Sequence, residues 1–92
     1  MQIKLETPGF NARRYSKPWI GLVRNGKIDF CGKWVGEINR GNGSAGVLII
    51  DVEVGDIVAK GIKDNRGNGT EKVYYKVEAD GLREITKVEA YS

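Results

Sequence analysis

WIGLVRNGKIDFC, residues 19–31, decides the fold class. Asn-Gly at 25–26 readily takes the two positive φ values of a two-residue type I′ turn, and the runs on either side, 19–24 and 27–31, are rich in the residues that strands favour. The stretch reads as a β-hairpin. Cys31 falls inside the second run and is expected to be a small core side chain.

The neighbouring segments read the same way. Residues 2–7 (QIKLET) alternate Ile3 and Leu5 with polar positions, as a half-exposed strand does. Residues 47–54 (VLIIDVEV) begin apolar on both faces and then alternate, which predicts a central strand with Leu48, Ile50, Val52 and Val54 directed into the core. Gly55-Asp56 turns the chain into a strand over 57–63. Further on, Val73, Tyr75 and Val77 share one face of a strand while Tyr74, Lys76 and Glu78 share the other. Asp80-Gly81 is a second hairpin signal, and residues 82–91 suit either a strand or a short helix. With 13 glycines, two prolines and no long helical period, six or seven short strands are expected over a single domain spanning 1–92. The predicted fold is all-β: a small antiparallel barrel or sandwich, with a short C-terminal helix as the one variation.

Ninety-two residues lie near the small end of what one core supports unaided, so self-association into a homo-oligomer is expected. The lone cysteine excludes an internal disulfide and suits a reducing interior. MQIKLETPGF has no basic region followed by an apolar run, and no apolar stretch is long enough to cross a membrane, so a cytoplasmic location without a membrane partner is expected.

The chain contains no histidine, which excludes His-based acid-base catalysis, His metal ligation and Ser-His or Cys-His nucleophiles. The carboxylates are scattered without metal or acid-base spacing. Neither an enzyme nor a metal or cofactor is expected. VEVGDIVAKG (52–61) resembles the V-x-V-G-D-x-V-x-x-G turn of biotinyl and lipoyl carrier domains, but the separate hairpin bearing their modifiable lysine has no counterpart here. A tight turn between two strands accounts for it.

Net charge is +3, unevenly spread: residues 1–44 hold eight Lys/Arg against three Asp/Glu, residues 45–92 seven against nine. A local basic excess suits a small anion as well as a polymer. Two repeated loops sharpen this. Asn39-Arg40-Gly41-Asn42-Gly43 and Asn65-Arg66-Gly67-Asn68-Gly69 share the sequence NRGNG, each ahead of a predicted strand. On one reading Gly and Asn supply left-handed turn conformations and the arginines only solvate the tips. On the other, backbone N–H groups form an anion-binding concavity that Arg40 or Arg66 closes with bidentate hydrogen bonds. A third basic stretch, Asn11 to Trp19 (NARRYSKPW), sets Arg13, Arg14 and Lys17 beside Tyr15 and Trp19, a composition suited to phosphates and bases.

NARRYSKPWIG (11–21) together with DNRGNGTE (64–71) resembles small bacteriophage proteins of the anti-Thoeris family, sponges that sequester cyclic ADP-ribose signals. The resemblance implies an oligomeric, non-catalytic protein that holds a nucleotide signal at subunit interfaces through arginines, an asparagine and an aromatic. Arg13, Arg14, Asp64, Asn65 and Arg66 are the positions it carries over, with Asp64 orienting an arginine or accepting a ribose hydroxyl. No long helical pattern is present, a departure that bears on how such subunits would assemble.

The expected function is sequestration of an anionic, nucleotide-like small molecule. Arg13, Arg14, Arg40 and Arg66 would meet phosphates, Asn42 and Asn68 would add polar loop contacts, and Trp19 or Tyr74 would stack on a base, in the host cytoplasm if the protein is phage-encoded. Two alternatives stand beside it: a small barrel for single-stranded nucleic acid, and a protein-interaction or virion-structural module.

Overall fold

At Asn25 and Gly26 φ is 54° and 73°, the paired positive values of a type I′ turn. The turn joins β2 (Lys17–Arg24) to β3 (Lys27–Asp29) and sets Arg24 opposite Lys27, Val23 opposite Ile28 and Leu22 opposite Asp29. A computed structural model describes residues 1–10, 17–39, 44–63 and 72–92, and among them lie eight strands and one helix. The others are β1 (Gln2–Phe10), β4 (Lys33–Asn39), β5 (Ser44–Asp51), β6 (Ile57–Lys63), β7 (Val73–Glu78), β8 (Gly81–Ile85) and α1 (Lys87–Ala90). They form two antiparallel sheets in the orders β1-β5-β4 and β3-β2-β6-β7-β8. The chain is all-β, as its pattern predicts, with one strand more than expected. Among the described residues no helix is long and apolar enough to cross a membrane.

The extra strand is β4, and it exists because the first hairpin stops early. After Asp29 the Cys31 N–H turns back to the Asp29 carbonyl at 2.9 Å, and the Gly32 N–H donates to the Ile20 carbonyl at 3.3 Å. Gly32 thus carries the chain from one sheet to the other. A Cβ there would run into the Ile20 side chain and stand 3.0 Å from the Ile20 carbonyl oxygen and 3.1 Å from that of Ile49. Cys31, expected in the core, is instead exposed, because it sits in the crossing rather than in a strand.

Between the sheets pack Ile20, Leu22, Leu48, Ile50, Val52, Val58 and Val77, flanked by Ile3, Leu5 and Leu82. Truncating a core leucine such as Leu48 to alanine typically costs about 2–5 kcal/mol. Val54 does not join this core and is 64% exposed. β5 ends at Asp51, and a turn follows in which the Asp56 carboxylate accepts from the Glu53 N–H at 2.9 Å and Gly55 takes φ 99°. The turn is sealed to β7 by Gly55 N–H to Val77 O at 2.8 Å and Val77 N–H to Asp56 O at 2.9 Å. The 52–61 stretch is therefore a connection between two strands, as read.

A second cluster covers the other face of the five-stranded sheet: Ala59, Tyr74, Ile85 and Ala90, flanked by Trp19, Val23, Ile28, Ile57 and Tyr91. Residues 82–91 turn out to be strand and helix in succession. Thr86 caps the switch, its hydroxyl accepting from the Glu89 N–H at 3.2 Å, and α1 lays Ala90 over the sheet.

The crossing has a direct test in urea unfolding. Gly32→Ala should cost about 1–3 kcal/mol through overpacking. Gly36→Ala, where a Cβ meets nothing within 4 Å, should be neutral or stabilising by up to about 1 kcal/mol. Equal effects at the two glycines would dismiss the tight crossing.

Candidate functional site

Strand registers bring three connections to one end of the sandwich. β1 finishes at Phe10 opposite Ser44, where β5 begins, and Ser44 lies opposite Asn39, where β4 finishes. In the other sheet β2 begins at Lys17 opposite Lys63, the end of β6, and β7 begins at Val73 opposite Lys60. The Lys60 ammonium donates to the Glu6 carbonyl of β1, which ties the two sheets together near these ends. Segments 11–16, 40–43 and 64–71 therefore start and finish at the same end. Arg13, Arg14, Tyr15, Arg40, Asn42, Asp64, Asn65, Arg66 and Asn68 belong to these segments and lie outside the described residues.

Charge follows the same division. Residues 10–18, 39–44 and 60–73 hold eight Lys/Arg and two Asp/Glu, while the rest of the chain holds seven and ten. Those segments thus carry six positive charges in excess and the remainder a deficit of three, together the chain's +3. Lys17 and Lys63 are register partners.

Lys60 is a residue that the sequence reading did not single out. It is 9% exposed, the buried charge among the described residues. Its stem lies on the inner face opposite Ile20, and its ammonium stands 5.2 Å from the centre of the Tyr75 ring. The signal lay in IVAKGIK, where strict alternation from the core residue Val58 puts Lys60 on the inward face.

The two aromatics expected to stack on a base are placed differently. Trp19 is half-buried, edge-on to Phe30 with ring centroids 5.2 Å apart. Its indole lies across Gly61, where a Cβ would come within 2.7 Å of the ring. Tyr74 is only 3% exposed and meets Tyr91 edge-to-face at 5.7 Å, so in this packing it offers no open ring face to a base. Its stacking role is corrected to a packing role: α1 and Tyr91 cover what alternation alone had marked as the solvent side. The strongly exposed rings are instead Phe30, 63%, and Trp34, 54%, neither of which stood out in the sequence.

Beside Tyr74 a cleft of about 560 Å³ opens among β7, β8 and the start of α1, with Lys72, Lys87, Thr86 and Glu84 on its walls. The volume is in the range of small-ligand sites. Among the described residues no group of three His, Cys, Asp or Glu side chains is placed to hold a metal ion. No protein-family model, curated protein or solved structure matches this chain.

The Tyr74 hydroxyl is buried without a hydrogen-bond partner of good geometry. Burial, then the neighbouring Tyr91 hydroxyl, pushes its pKa up from 10.0 to about 12. A tyrosine that keeps its proton longer in the folded state contributes stability that is fully present below the unfolded pKa and is lost as pH climbs through the folded one. Stability should therefore fall as pH rises from 10 towards 12. Tyr74→Phe removes an unsatisfied hydroxyl, so it should cost little or nothing at neutral pH and flatten the alkaline loss. Denaturation midpoints of the two proteins that run parallel up to pH 12 would contradict the assignment.

Proposed function

We propose that this protein binds a small anionic, nucleotide-like molecule and holds it without chemical change. The observation that carries the reading is that the strands flanking three arginine-bearing connections begin or finish at one end of the sandwich, in segments where positive residues outnumber negative ones eight to two. Arg13, Arg14, Arg40 and Arg66 supply phosphate contacts, and Asn42, Asn65 and Asn68 supply polar ones. Asp64 orients Arg66 or accepts a ribose hydroxyl. A homo-oligomer in phage counter-defence, acting as a sponge for a signalling nucleotide, is the setting that the resemblance to the anti-Thoeris family supports.

The exposed Phe30 and Trp34 on either side of Lys33 favour a second reading, a surface for unpaired nucleic-acid bases. Salt separates the two. A ligand with one or two phosphates releases few counterions and should lose about tenfold or less in affinity between 50 and 200 mM salt, whereas a polymer meeting 6–10 phosphates loses roughly 10³-fold or more.

Native mass spectrometry of the protein purified from cells should show an oligomer that retains a nucleotide. Calorimetry with that ligand should show Arg66→Ala weakening binding by roughly 1.5–3 kcal/mol, with Arg66→Lys restoring only part of it. Arg40→Ala should matter less, since Arg40 follows Ile38 and Asn39 rather than an acidic residue. A ligand-free monomer that shifts short single-stranded DNA would transfer the function to the second reading.

A further inference from the structure

The cleft beside α1 is one of two features that converge on the same row of the five-stranded sheet. Continuing the β6–β7 register by one step from Lys60 opposite Val73 sets Gly61 level with Lys72, and Gly61 is itself opposite Trp19. Trp19 and Gly61 are thus paired across β2 and β6, Lys72 continues this row as the residue just before β7, and Lys87 shares the cleft with Lys72. Neighbouring strands lie about 4.8 Å apart, so the Trp19 and Lys72 backbones are separated by about 10 Å. The indole closes part of that distance. Because Gly61 has no side chain, the ring edge bearing Cζ2, Cε2 and Nε1 lies directly over β6, one strand from Lys72.

We infer that this row is a binding subsite for a phosphorylated aromatic molecule, with the phosphate held in the cleft by Lys72 and Lys87 and the ring resting against the indole of Trp19. Neither ammonium has an ion-pair partner among the described residues, while nearby Arg83 is already engaged with Glu78 at 2.8 Å and Glu89 at 3.8 Å. Two exposed cations lining one cavity suit a phosphate. The Thr86 hydroxyl, which accepts from the Glu89 N–H, still has its own proton to donate to a phosphate oxygen. Glu84, on the same cleft, would accept from a sugar hydroxyl. A ring lying over β6, one strand from Lys72, suits a base joined through a sugar to a phosphate. The inference rests on the proposed function and assigns part of the site to residues outside the three connections.

Trp19 is its own reporter. In a Trp34→Phe background it is the one remaining indole, so titration with ADP should change its fluorescence, and pyrophosphate, which lacks a ring, should bind more weakly and leave the emission nearly unchanged. Lys72→Glu with Lys87→Glu should weaken ADP binding at least tenfold, with circular dichroism and the melting temperature showing that the fold is kept. Lys72→Arg with Lys87→Arg should retain binding. If ADP binds and depends on Arg66 but is indifferent to the charge reversal at 72 and 87, the subsite is wrong and the functional reading survives. If neither ADP nor the nucleotide retained from cells binds the unmodified protein, both fall.

Discussion

The close approach at Gly32 is the constraint on which the rest of the molecule depends. Hydrogen-bonded to Ile20 and pressed against Ile49, this residue links a strand of one sheet to the central strand of the other. It determines which way β4 runs. Since β4 must then pair with β5 from Lys33 to Asn39, its end falls beside the start of β5, and that is the end at which β1, β2, β6 and β7 also begin or finish. A sandwich assembled with β3 continuing to residue 31 would have no fourth strand there and nothing to hang the first NRGNG loop on.

Much of the fold was legible because its turns have strong local chemistry. Asn25-Gly26 and Gly55-Asp56 need conformations that few residues allow, and both formed where the sequence placed them. What could not be read were the features decided by distant parts of the chain. β4 escaped notice because a register shift between Trp34 and Gly36 destroys its alternation, and because the glycine that starts it works by contact with Ile20 and Ile49 rather than by turn geometry. Tyr74 sat among Lys76 and Glu78 in the pattern, yet α1, ten residues and more away, covers only its part of that face. Of the candidate site, the basic segments stood out by composition. Lys60, Lys72 and Lys87 did not, since their meaning comes from registers and from the cleft.

A concentration of positive charge at one end is costly for so small a protein, and the fold meets that cost in graded ways. Lys60 is the extreme case: its ammonium is withdrawn from water but given a carbonyl and an aromatic face, and its stem fills space beside Ile20. The opposite half carries the surplus of carboxylates, where Arg83 is held between Glu78 and Glu89 and helps dock the helix. The sequence thus concentrates positive charge, and with it the local field, in and beside the three connections.

That field bears on why NRGNG occurs twice. One copy joins β4 to β5 in the three-stranded sheet, and the other joins β6 to β7 in the five-stranded sheet, so each bridges a pair of adjacent antiparallel strands and the two sheets contribute one apiece. Turn formation alone does not call for arginine at the same place in both, since Asn and Gly already provide the needed conformations. Nor does solubility, because adding cations to segments already rich in Lys and Arg raises the repulsion instead of relieving it. An arginine repeated in two basic connections is what the proposed anion would use. On the proposed reading, an anion bound there would relieve the repulsion among these cations.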